Sequence, residues 1–243
     1  MTTIAFVRWD EPARLFAVLA HLDLGADAAS LFDPSLPSPP WAQGLLEAYR
    51  AASGRLVLHG IGLSHPRGLL ERLRGDPPAA LADVPGRVLC ARTADAIESL
   101  ADRPVRYAAV PDGVVEPLAT LRAALWERHG APPPLTVADC PALGRCGRAV
   151  QTASGRVVAV SLAQPAEHVL CQVLHEETHA VTDPVVSASW GAGPSRDTAV
   201  GSAGFGRHRA LELAAVEVGD ALIRARTPQW LPAYQRWRAR FGV

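Results

Sequence analysis

The chain has 243 residues, 49% hydrophobic and 20% charged, the balance of a globular protein with a substantial core. Its 24 basic and 24 acidic residues cancel, which removes the electrostatic case for a nucleic-acid partner or an anionic membrane surface. Every basic residue is arginine and there is no asparagine, so a lysine Schiff base, a P-loop lysine and N-glycosylation are all excluded.

Residues 1–10 carry Arg8 and Asp10 and no long apolar run, so no secretory leader is expected. No stretch approaches the ~18 uninterrupted apolar residues of a membrane span. Cys90, Cys140, Cys146 and Cys171 are too scattered for a disulfide framework, so the expected setting is cytoplasmic and reducing.

The first half reads as alternating strands and helices. Strands are predicted over 4–9, 56–63, 87–91 and 105–110, and helices over 11–22, 41–52, 66–74, 94–100 and 114–129. The four prolines in 33–40 predict an irregular linker. Pro132-Pro133-Pro134 is the best boundary, dividing the chain into 1–131 and 132–243. Beyond it come a short strand over 135–138 and a hairpin of 148–153 with 156–162 around Ser154-Gly155. A helix starts near Pro165 and is expected to end before Pro184. The Gly/Ser-rich stretch 187–206 reads as a loop that can act as a lid. A long helix over 208–226 and a short amphipathic one over 230–241 complete the chain.

The sixth of these predicted helices, over 166–181, carries His175-Glu176-Glu177-Thr178-His179. Helical residues i and i+4 lie on one face, one turn apart, so the two imidazoles can converge on one metal ion. Glu176 then points toward the open side of that metal, where it can take a proton from a bound water.

Hairpin, H-E-x-x-H helix, loop and glutamate-bearing helix, in that order over 135–226, resemble the zincin metallopeptidases, and within them the gluzincins. The resemblance implies an α+β chain: a zincin-like C-terminal domain (small sheet, H-E-x-x-H helix, glutamate-bearing helix) preceded by an α/β N-terminal domain. It implies zinc held by His175, His179 and a later glutamate, with Glu176 as general base. Glu212 suits the third position best, because Ala214 and Ala215 let its helix approach closely. Glu217, about 140° further round the helix, is the competitor, and Asp183 is a rival ligand or a carboxylate orienting a histidine N–H. His208, one turn before Glu212, can stabilise an oxyanion or donate a proton, or it is a solvated histidine. His168 and Cys171 share a face with His175 and read as core or supporting residues.

The implied partner is a peptide or protein substrate. Residues 157–161 are the segment expected to offer it an edge strand. Two histidines and a carboxylate also make the facial triad of iron oxygenases, so a 2-oxoglutarate-dependent peptide hydroxylase of the H-E-x-x-H type stands as the alternative. Leu58-His59-Gly60-Ile61-Gly62-Leu63-Ser64 is similar to a strand-end segment of multinuclear iron oxidases that modify peptides; read by itself it is a buried strand with a structural His59. An inactive binding module is the third reading.

Overall fold

The computed structural model describes residues 3–22, 38–189 and 203–239. Over them the fold is α+β: helices and, among the described residues, one mixed four-stranded sheet of order β1-β2-β4-β3. The strands are β1 (Ile4–Arg8), β2 (Leu135–Asp139), β3 (Arg148–Thr152) and β4 (Gly155–Val160). The helices are α1 (Asp10–His21), α2 (Ala42–Ala51), α3 (Leu58–Ser64), α4 (Leu69–Gly75), α5 (Val84–Glu98), α6 (Val115–Trp126), α7 (Ala166–Ser189), α8 (Ala203–Arg226) and α9 (Leu231–Arg238).

The chain forms two compact units that are not its two halves. One is Ala5–Val110 with Leu135–Gln164; the other is Met1–Ile4, Pro111–Pro134 and Pro165–Val243. This partition differs from the break expected at 131/132. The proline run is no free linker: the Pro133 carbonyl accepts a hydrogen bond from Arg122 of α6.

In the sheet-bearing unit, α1 to α5 bury Leu15, Phe16, Leu19, Leu45, Leu58, Leu73, Leu89 and Ile97 in one core with Val157 and Ala159 of β4. The predicted hairpin is present, with Thr152 opposite Gly155 and Arg148 opposite Ala159. On its other side β4 pairs in parallel with β2, Val158 opposite Val137. All six β4 residues are buried, as a central strand requires. The expectation that 157–161 offers an edge to a peptide is therefore corrected, because both hydrogen-bonding edges of β4 are taken.

Two predicted strands are helices. Leu58, Ile61, Gly62 and Leu63 are the buried residues of α3, a helical spacing that a short apolar run hides. Gly62 lies so close to Leu15 that a Cβ would overlap its side chain, so this glycine serves close packing. His59 faces Phe16 at 5.7 Å between ring centroids. The strand-end setting behind the iron-oxidase similarity is thus absent. Residues 87–91 sit inside α5. Asp83 caps that helix by accepting the Gly86 N–H at 2.8 Å, and Pro85 occupies its first turn. Residues 105–110 form no strand; the Ala108 N–H instead donates to Asp139 at 2.9 Å.

The second unit is helical: α6, α7, α8 and α9, with α7 packed most extensively on α8. Val169, Leu170, Val173, Leu174, Glu177 and Thr178 are all buried, on more than one face, so α7 is the central helix. It does not end before Pro184 but runs through it to Ser189. Proline supplies no N–H for the carbonyl four residues back, and the helix continues past it with Pro184 and Val185 exposed. The linker expected at 33–40 lies largely outside the described residues, as do 190–202 of the loop expected over 187–206.

Candidate metal centre

Within the helical unit, His175 and His179 of α7 meet Glu212 of α8. The His175 Nε2 is 3.0 Å from Glu212 Oε2 and 3.1 Å from the His179 Nε2. The second Glu212 oxygen is 3.8 Å from the His179 Nε2. One ligand atom from each residue lies within 4.8 Å of the other two, and among the described residues these three make the group able to hold a metal ion. Zinc–nitrogen bonds of about 2.0–2.1 Å in a tetrahedron put neighbouring donors about 3.3 Å apart. The histidine–histidine and His175–glutamate spacings are already close to that.

Asp183, one turn beyond His179, sets its tautomer. The His179 Nδ1–H donates to Asp183 Oδ1 at 2.8 Å, so Nε2 is the ring nitrogen turned toward His175 and Glu212. The sequence reading of Asp183 as an orienting carboxylate agrees with this contact. Burial alone pulls the His179 pKa down, but the hydrogen bonds and charges of Asp183 and Glu212 outweigh it and push it up to about 10. Burial works against the Glu212 carboxylate too, yet its two imidazole neighbours hold it well below the usual carboxylate range. Both shifts favour an imidazolium on His179 facing an ionised Glu212.

The other nominated residues take distinct places. Glu176 is partly exposed, and the Gln172 Nε2–H donates to its Oε1 at 3.1 Å. His208 is largely exposed, its Nδ1 3.8 Å from Glu212 Oε1. Glu217 turns away and lines an apolar cavity of about 630 Å³ with Val181, Val185, Val218 and Leu222. His168 and Cys171 stand outside the ligand group, and so do Cys140 and Cys146.

Three residues that hold the site were not singled out from sequence. Arg122 of α6 is fully buried, and its Nε lies 2.5 Å from a Glu177 oxygen. Trp237 of α9 packs on the His175 ring, and Tyr234 stacks on Trp237. One signal for Arg122 was available: it sits beside Leu118, Leu121 and Leu125, an arginine on the apolar stripe of an amphipathic helix.

No helix among the described residues is long and apolar enough to cross a membrane. Compared with protein-family models, with curated proteins and with solved structures, the chain matches none.

Proposed function

We propose that the chain is a zinc-dependent hydrolase of the zincin, gluzincin-like type that cleaves a peptide substrate. The observation that carries this reading is the convergence of the His175 Nε2, the His179 Nε2 and the Glu212 carboxylate within 4.8 Å. Those three residues would hold the ion, with Asp183 fixing the ring of His179. A zinc ion bound there would supply Lewis acidity toward a carbonyl and a water. Glu176, beside the first ligand, takes the proton of the attacking water on its carboxylate and passes it to the leaving amine. The Gln172 amide, donating to Glu176 Oε1, orients that carboxylate. His208, one turn before Glu212 and open to solvent, is placed to donate to an oxyanion. No disulfide joins the four cysteines, which fits a reducing, cytoplasmic setting.

The test is metal content together with peptide cleavage. Purified protein carries about one zinc per chain, loses it in His175→Ala, and cleaves a peptide library. Glu176→Gln keeps the zinc and loses the cleavage. Iron with 2-oxoglutarate consumption would overturn the hydrolase in favour of the hydroxylase. Protein that takes up no metal would leave a binding module.

A further inference from the structure

Arg122 and Glu177 form an ion pair inside the helical unit, both side chains fully excluded from water. Arg122 also donates to the Pro133 carbonyl, so one guanidinium joins α6, α7 and the proline run. Glu177 belongs to the H-E-x-x-H sequence itself. It follows His175 by two residues, about 200° round the helix, and so lies on the face opposite the two histidines. On the other side His175 is met by Glu212 and by the Trp237 ring. The helix is therefore held from behind by a charge and from in front by its metal-binding partners.

An isolated buried charge costs several kcal/mol, and an ion pair in the interior tolerates little change in geometry. An apolar contact at this place would let α7 rotate or slide. A forked guanidinium bound to a carboxylate on one helix and a carbonyl on another segment does not, because each hydrogen bond has a fixed direction. We infer that Arg122 is a positioning residue for the metal centre: through Glu177 it sets the rotation of α7 that aims His175 and His179 at Glu212. This inference rests on the metal-site reading above.

The experiment measures zinc affinity, by competition with a chromophoric chelator, and the visible spectrum of the cobalt-substituted protein. It compares the full-length chain with Arg122→Lys, Arg122→Met and the double variant Arg122→Met/Glu177→Met. Arg122→Lys keeps the charge but loses the fork. The double variant leaves no unpaired buried charge, so it retains its fold where the single methionine variant does not. The expected result is about a tenfold loss of zinc affinity in the folded variants, with weaker cobalt bands as the ligands depart from a tetrahedral arrangement. Wild-type affinity and an unchanged cobalt spectrum in folded Arg122→Lys or in the folded double variant would overturn the inference and leave the metal site standing. A wild-type chain that takes no zinc overturns both.

Discussion

The indole of Trp237 lies 5.1 Å from the imidazole of His175, centroid to centroid, inclined at 59°. Trp237 is nearly buried and stacks at 5.3 Å on Tyr234. Helix α9 thus packs Trp237 on a proposed ligand, with Tyr234 stacked behind it. Trp237→Ala is expected to destabilise the protein by about 3–5 kcal/mol, the usual cost of emptying a large aromatic site. Trp237→Phe should recover most of that. Urea unfolding checks both, and a loss below 1 kcal/mol for alanine would mean that α9 is a peripheral element.

Gly219 is where α8 admits Tyr234. A Cβ there would overlap the phenol oxygen, which donates to the Val216 carbonyl at 3.0 Å. Gly219→Ala should cost about 1–3 kcal/mol by overpacking. Tyr234→Phe alone should cost about 1 kcal/mol for the lost hydrogen bond. Because phenylalanine removes the nearer of the two Tyr234 atoms that the methyl group strikes, leaving Cζ, the double variant should be somewhat more stable than the sum of the singles implies. Additive losses would show that the clash lies elsewhere.

The choice of third ligand has a direct readout. Glu212→Gln is expected to weaken zinc binding at least tenfold, and Glu217→Gln by less than twofold, since Glu217 lines the apolar cavity. The reverse order in a competition titration would displace Glu212 from the site.

Zinc at a hundredfold excess over its dissociation constant should raise stability by about 2.7 kcal/mol through mass action on the folded state. The increment should vanish in His175→Ala. Thermal melts with and without zinc measure it, and an equal increment in both proteins would place the ion somewhere else.

The thiols differ in reach. Cys90, Cys140 and Cys171 are buried and Cys146 is partly exposed. Burial pushes the Cys90 thiol up to about 11 and raises Cys140 as well, so both stay protonated and unreactive at neutral pH. Alkylation of native protein at pH 8 should mark Cys146 first, with the other three following only on denaturation. Mass spectrometry of the labelled peptides decides, and early labelling of Cys140 would contradict the fold around β2.

Much of the helical unit was legible because its signals are local. The i, i+4 histidines, Glu167 in the first turn of α7 and the long pattern ending at Arg226 each depend on neighbours in sequence. Asp183 was legible as an orienting carboxylate for the same reason, standing one turn past His179. The sheet-bearing unit was harder to read. In α3 two glycines and a short apolar run look the same in a strand and in a buried helix, and Leu15, which selects the helix, lies more than forty residues away. Asp83 before Val84-Pro85 was a helix-start signal that the strand reading of 87–91 passed over. The central place of β4 and the Arg122–Glu177 pair are tertiary facts. No window of neighbouring residues contains both members.

Neither unit is a continuous stretch of polypeptide. The chain passes between them at 4/5, 110/111, 134/135 and 164/165. The two helices joined by Arg122 and Glu177 are therefore separated in sequence by β2, β3 and β4, which belong to the other unit. Helix α7 is consequently no transplantable cassette. A recombination event at the proline run, the natural seam by composition, would hand Glu177 to one product and Arg122 to the other. A bare carboxylate would then be stranded in an apolar interior, at a cost of several kcal/mol. Interleaving of this kind makes the two units heritable only together.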